Sequence, residues 1–283
     1  MDPVPVVPPP PYQPPGGWLR RTCRAVFRER RLPTRLAEQL DRFWIRLGRT
    51  TRVVRTAGCQ IRVRRLAADQ HYLREVIEQR AYHPPGYEIG PADTVVDVGG
   101  NIGAFAVWAG RQAPRGRVIT IEPVSENFRL LRENLRRNGL EHVQPIQAAV
   151  QGHPPGDVTV YWSAAGTGHH TILPELAGAP LGSERVPGLT LESLFARFQL
   201  ERCDFLKMDC EGAEFEILAS LPAELAPRIA KLALEYHTRG DRPKREQAGE
   251  LIDRLTSYGF RIDRYTDLLD TPRGMIFAHH APA

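Results

Sequence analysis

From Thr94 onward the chain alternates short, apolar, β-branched runs with longer stretches in which apolar residues recur at helical spacing. The runs are Thr94–Val98, Arg117–Ile121, Val143–Val150, Phe205–Met208 and Ile229–Tyr236. The helical stretches are Ile102–Gln112, Ser125–Asn138, Leu191–Leu200, Ala213–Leu221 and Lys244–Tyr258, and two more strands are expected near Phe260–Tyr265 and Gly274–His279. Runs that are apolar on both faces belong to strands covered on both sides, and strands that alternate with helices form a parallel sheet. The pattern predicts an α/β fold with a doubly wound, seven-stranded, mostly parallel sheet. Gln151–Pro187 breaks the rhythm. It is rich in Gly, Pro and His, includes AAGTGHHT at Ala164–Thr171, and is expected to form a long substrate loop.

The first part of the chain is organised differently. Residues 1–17 (MDPVPVVPPPPYQPPGG) hold too much proline for a helix or a central strand and are expected to form an extended, disordered tail. Between Trp18 and Leu47 the spacing turns helical. Leu36, Leu40, Phe43 and Leu47 fall on one face of a helix that Pro33 separates from a shorter one before it. Three placements are open for that helix: packed on the α/β domain, as a lid, or as the contact of a homo-oligomer. Cys59–Arg64 alternates like a strand, Tyr72–Glu78 is helical, and a turn at Pro84–Gly86 leads into the regular part. The expected division is a tail over 1–17, an Arg-rich helical accessory segment over 18–69, and the α/β domain over 70–283.

Composition places the chain among soluble globular proteins, with 42% hydrophobic and 25% charged residues. No apolar run approaches the roughly 18 residues of a membrane span, and no basic-then-apolar leader marks a secretory signal. Cys23, Cys59, Cys203 and Cys210 show neither CxxC nor zinc spacing, which fits reduced thiols in a cytoplasmic protein. The net charge of +5 hides an asymmetry: residues 18–65 hold fifteen Arg against Glu29, Glu38 and Asp41. Such a segment can attract nucleic acid, an anionic membrane or an acidic partner, or simply be a solvated helical face. It contains no Lys and no aromatic-interleaved RNA motif, so the solvated face is the expected reading and nucleic acid is not the expected partner.

The chemistry begins at Val95-Val96-Asp97-Val98-Gly99-Gly100-Asn101-Ile102-Gly103, where a buried strand ends beside an acid, turns through glycines and enters a helix. Open α/β sheets bind ligands at such a turn, because glycine lets the backbone approach closely and helix N-terminal amides meet an anionic group. A dinucleotide GxGxxG counted from Gly99 would need glycines where Asn101 and Ala104 stand, which disfavours a nicotinamide cofactor. The next strand ends in Glu122-Pro123, and a carboxylate there can accept both hydroxyls of an adenosine ribose. Asn127 and Phe128 follow on the next helix, flanking the nucleoside or serving the fold.

Four ordered blocks, DVGGNIGAF, IEPVSENFRLLRENLRRNG, DFLKMDCEGAEFEIL and LALEYH, resemble the FkbM-type class I methyltransferases over about Tyr72 to Tyr265. Gly100, where the family often has Ala, and Glu192, where it more often has Asp, are departures of little consequence. The resemblance implies S-adenosylmethionine held by Asp97, Gly99, Asn101, Gly103 and Glu122. Gly100 and Pro123 belong to the same two turns, and Ala148-Ala149 would lie near the adenine. It also implies methylation of hydroxyls on sugars or natural-product-like small molecules, without fixing the acceptor.

The third block puts Asp209 and Glu211 at the end of the fourth parallel strand, and the fourth block puts Glu235 and His237 at the end of the next. Methyl transfer to a hydroxyl needs alignment and a proton acceptor. Asp209 is expected to position the acceptor or take its proton, and His237 to be a general base oriented by Glu235. Alternatively, Asp209 and Glu235 hold a divalent cation such as Mg2+. Glu211 has a competing reading as an acid in a helix's first turn, and His237 as a satisfied strand-end histidine. His169 and His170 are candidate acceptor contacts in the Gly-rich segment. Two other functions stay in view: nucleic-acid methylation through the Arg-rich segment, and a non-catalytic docking protein that keeps the fold.

Overall fold

The computed structural model describes residues 34–163, 166–240, 242–267 and 272–280. Seven strands form one sheet: β3 (Thr94–Val98), β4 (Arg117–Ile121), β5 (Val143–Ile146), β9 (Phe205–Met208), β10 (Lys231–His237), β11 (Arg261–Asp267) and β12 (Arg273–His279). Their order is β11-β12-β10-β9-β3-β4-β5, with β12 antiparallel to both of its neighbours and the other pairings parallel. The helices are α1 (Thr34–Arg46), α2 (Asp69–Leu73), α3 (Ala104–Gln112), α4 (Ser125–Arg137), α5 (Leu191–Arg197), α6 (Glu214–Ala219) and α7 (Lys244–Ser257). Two apolar layers cover the sheet. One is centred on Leu194, Phe195, Leu206, Ile217 and Leu251, the other on Phe105, Val107, Leu130, Leu131 and Phe205. The doubly wound arrangement read from the apolar runs is therefore the fold.

β3 and β9 lie side by side at the centre, with Asp97 opposite Lys207 and Val98 opposite Met208. β10 continues next to β9. The strand order reverses at β3, whose successive neighbours β4 and β9 lie on opposite sides of it, and this opens a crevice at the carboxyl ends of these strands, where ligands bind in such sheets. The loops after β3, β4, β9 and β10 carry the residues of interest.

Three expectations need correction. Gln151–Pro187 is not a structureless loop. β7 (Gly156–Trp162) and β8 (Gly182–Leu189) pair antiparallel within it, and β8 also pairs with β6 (Ala149–Val150), making a second, three-stranded sheet. Its Gly and Pro content masked the alternation that buries Val160 and Val186. Val143–Val150 is accordingly two strands, one in each sheet, broken between Ile146 and Ala149. Finally, Cys59–Arg64 (β2) does not stand alone. It pairs with β1 (Thr51–Thr56), whose arginines obscured the strand signal. Beyond α2 the backbone widens into a π-helical turn, Arg74–Glu78, a distortion frequent at functional sites.

α1 exists where the spacing placed it, but its apolar stripe faces outward. Leu40, Phe43 and Leu47 are 41%, 53% and 58% exposed. The helix is instead pinned through Asp41, which is buried and accepts from Arg52 and Arg65. The proline-rich tail and the shorter helix before Pro33 lie outside the described residues. No helix among the described residues is long and apolar enough to cross a membrane.

Candidate active site

The β3 turn is built by glycine. Gly99 has φ +83°, and a Cβ there would stand 1.8 Å from the Asp209 carbonyl oxygen, so only glycine lets the turns after β3 and β9 meet. Asn101 is left-handed as well, at φ +48°. Its backbone N–H donates to Glu122 at 2.7 Å, while Val124 N–H donates to the other carboxylate oxygen at 2.9 Å. Glu122 is buried, and burial pushes its carboxyl up to about 7 despite these bonds. Oε1 also accepts from Asn127 Nδ2 at 3.3 Å, so Oε2, with a single donor, is the oxygen that keeps acceptor capacity.

Gly99, Asn101, Glu122, Pro123, Asn127, Ala148 and Ala149 line one pocket together with Asp209 and Glu211. It joins six of the nine residues expected to touch a cofactor. Asp97, Gly100 and Gly103 are not on its wall. The Asp97 carboxylate is fully buried beneath the turn, paired to Lys207 Nζ at 3.1 Å and accepting from Thr120 Oγ1 at 2.8 Å. Gly103 caps α3 against Leu131, and Gly100 borders the neighbouring cavity. These three shape the turn instead of lining the pocket.

The pocket holds about 60 Å³ of free space, well below the roughly 300–1,000 Å³ of small-molecule sites. Thr167, Gly168 and His170 lie in it. Asn127 donates to the Thr167 carbonyl at 3.1 Å, and Thr167 Oγ1 donates to Asp69 at 3.0 Å. His170 Nδ1 accepts from Ser163 N–H at 3.1 Å, and burial pulls its imidazole down to about 4. The residues fit an adenosine-type ligand: a buried acid whose Oε2 has a single donor, a buried Asn101 Oδ1 without a partner, and a glycine cradle.

Next to it lies a much larger cavity of about 860 Å³, which shares Gly99, Asn101, Gly168, Asp209 and Glu211 with the first pocket. Tyr82, Phe105, Met275 and Phe277 give it apolar walls, and Glu75, Arg80, Glu235, Arg264 and Arg273 supply charge. Asp209 and Glu211 thus stand where the two spaces meet.

Around Asp209 the geometry differs from the expected cluster. Glu235 does not touch His237. Its oxygens accept from Tyr82 Oη at 2.6 Å and Arg273 Nη1 at 2.8 Å. The same Tyr82 hydroxyl lies 2.8 Å from Asp209 Oδ2, so one phenolic proton serves two carboxyls. Burial, with Asp209 and Glu235 alongside, pushes Tyr82 well above its usual range. Burial and the Asp209 charge lift Glu235 to about 7. His237 is held by Glu214 through Nδ1 at 3.1 Å and lies 3.4 Å from Glu211 and 4.0 Å from Asp209 through Nε2. Burial opposes its charge, but Glu211 and Glu214 outweigh burial and hold it well above its ordinary value. Glu214 and Glu211, not Glu235, are the acids that hold it.

Glu211 precedes α6, so it is not a first-turn acid. It takes a left-handed φ of +51° and reaches both His237 and His169, the latter at 3.3 Å. His169 in turn meets Tyr72 Oη at 3.1 Å. A cation site through Asp209 and Glu235 does not fit, since Glu235 is engaged by Tyr82 and Arg273. Among the described residues, the donor atoms that come within 4.8 Å of one another belong to Asp209, Glu211 and His237.

Sequence reading missed Tyr82, Lys207, Glu214 and Arg273. Lys207 was visible as a charge inside the apolar run FLKM, where a buried lysine needs partners. It donates to the Gly99 carbonyl at 2.6 Å and pairs with Asp97, locking the β3 turn to β9. Tyr82 and Arg273 sit far from any motif, and only the sheet order brings them to Glu235.

Residues 97–262 match the methyltransferase FkbM domain. The chain is 24% identical over 233 residues to the AMB antimetabolite synthetase AmbE of Pseudomonas aeruginosa, covering 71% of this chain and only 11% of that protein. It is 26% identical over 219 residues to the 31-O-demethyl-FK506 methyltransferase FkbM of Streptomyces tacrolimicus, covering 68% and 82%. Methyltransferase sdnD of Sordaria araneosa is 25% identical, covering 69% and 83%. Among solved structures, the Methanococcus jannaschii fibrillarin pre-rRNA processing protein superposes with a TM-score of 0.50 at 14% identity, covering 82% and 84% of the two chains.

Proposed function

This chain belongs to the FkbM methyltransferase family, and from that premise we propose that it methylates a hydroxyl of a natural-product-like small molecule. S-adenosylmethionine, the donor of the family, supplies an electrophilic methyl group when bound. Glu122 is assigned to its ribose, Gly99, Asn101 and Asn127 to the surrounding wall, and Ala148-Ala149 to the adenine side. The acceptor takes the 860 Å³ cavity.

The observation that carries this reading is the position of Asp209, a residue that lines both the cofactor pocket and the acceptor cavity. A hydroxyl is too weak a nucleophile to react without losing its proton as the bond forms. Asp209 is the proton acceptor in this account. It is 26% exposed, so a substrate can reach it, and its other oxygen is fixed by Tyr82. His237 and Lys207 bring positive charge to 4.0 and 3.9 Å of it. Glu235 and Arg273 hold Tyr82 from behind. The Streptomyces relative, a 31-O-demethyl-FK506 methyltransferase, supports an oxygen acceptor and a bulky natural product.

The test is direct. The protein is incubated with S-adenosylmethionine carrying a 13C methyl group and a panel of hydroxylated sugars and polyketides, and products are read by NMR. A labelled methoxy signal is the expected result. Label appearing only on nitrogen or carbon, or only on added RNA, would overturn the reading.

A further inference from the structure

α1 is pinned to the body through Asp41, with Trp44 and Ile45 half-buried beside it, and turns Leu40 and Phe43 to solvent. Asp41, pinned by Arg52 and Arg65, is the fully buried residue among the described side chains of the helix. Leu40, Phe43 and Leu47, spaced to share one face, are exposed on the outside. Arg42 and Arg46 are exposed on the helix and Arg55 on β1, and none of the three has an acidic partner among the described residues. Arg65, which meets Asp41, is followed by Leu66, another 47% exposed apolar side chain.

A free apolar stripe flanked by unpaired arginine is the composition of a helix that lies in a membrane interface, with apolar side chains among acyl chains and guanidinium groups on phosphates. The geometry points to α1 as a docking surface for an anionic phospholipid bilayer. Charge decides among the occupants. Nucleic acid would satisfy the arginines but leave the Leu-Phe-Leu stripe in water. A second copy apposed through the same face would bring together two segments that each carry fifteen Arg against three acids, and like charges across an interface are repulsive. An anionic lipid surface satisfies both features at once. This inference is independent of the acceptor and of the methyl-transfer reading.

The full chain is sedimented with phosphatidylcholine vesicles and with phosphatidylcholine vesicles carrying phosphatidylglycerol as the minority lipid. A parallel set uses the triple variant Leu40→Gln, Phe43→Gln, Leu47→Gln, whose changes are all on the surface. Affinity for the anionic vesicles is expected to exceed that for neutral ones by on the order of 10-fold or more, to fall in high salt, and to fall on the order of 10-fold in the variant. Circular dichroism and S-adenosylmethionine binding of the variant check that it is folded. Three results would overturn the inference. They are no binding to anionic vesicles, binding that the triple variant leaves unchanged, and a dimer in light scattering that the variant dissolves while vesicles go unbound.

Discussion

Asp209→Asn is expected to lower turnover about 10²- to 10⁴-fold, the range for loss of a positioned general base, with little change in cofactor affinity. Asparagine keeps the size of the side chain and can still meet Tyr82, so the fold of the β9 turn should survive. What it loses is the ability to take the acceptor's proton at the boundary of the two spaces. The pH profile carries a second signature. Glu235 is pushed up to about 7 by burial and the Asp209 charge, so it is protonated below that pH and ionised above it. When protonated it donates a hydrogen bond to Tyr82 Oη, whose own O–H is then directed to Asp209 Oδ2 alone, and this weakens Asp209 as a proton acceptor. Turnover in the wild type should therefore rise with pH through about 7, and Glu235→Gln should remove that limb. Initial rates of S-adenosylhomocysteine release across pH measure both. An Asn variant that turns over at the wild-type rate would take Asp209 out of the chemistry.

Gly99→Ala is expected to damage stability and cofactor binding together. Two costs add. A left-handed φ of +83° costs a non-glycine residue about 1–2 kcal/mol. The new Cβ would also stand 1.8 Å from the Asp209 carbonyl oxygen, a distance that forces the β3 and β9 turns apart and strains the Lys207 bond to Gly99. Backbone clash of this kind, with strain at a special φ, belongs to the large-effect class, about 4 kcal/mol or more. At roughly 2–4 °C per kcal/mol for a domain of this size, the melting temperature should fall on the order of 10 °C. Thermal unfolding followed by circular dichroism reads the first effect, and titration with S-adenosylmethionine reads the second. A variant that melts like the wild type would mean the turn is looser than described.

How much of this was legible in the sequence follows from the range of the interactions. The parallel core announced itself because each strand is apolar on both faces, and the Gly99 turn because a strand, glycines and a helix follow one another within ten residues. Glu122 was legible for the same reason. His237 and Asp209 were placed at neighbouring strand ends, and they are there. Their partners were not legible. Tyr82 reaches Glu235 across 153 positions and Arg273 reaches Glu75 across 198, and no local pattern records such pairs. Proximity in sequence also misled: Glu235 and His237 share a strand, yet Glu214 from α6 holds the histidine. Asp97 was assigned to the cofactor for its place in the motif, whereas its burial beside Lys207 makes it the post under the turn. The small sheet escaped because Gly and Pro dominate the segment that builds it, and α1 was read correctly as a helix but not as one that faces outward.

The claim on which the rest depends is that the crevice after β3 and β4 takes S-adenosylmethionine with Glu122 on its ribose. The most direct test is calorimetric titration of the wild type and of Glu122→Ala with S-adenosylmethionine, with NAD as the parallel ligand. The prediction is binding of S-adenosylmethionine alone to the wild type, and on the order of 10- to 100-fold weaker binding to the variant, the loss for removing a charged acceptor from hydrogen-bonding hydroxyls. Equal affinity in both proteins, or heat from NAD and none from S-adenosylmethionine, would contradict the account.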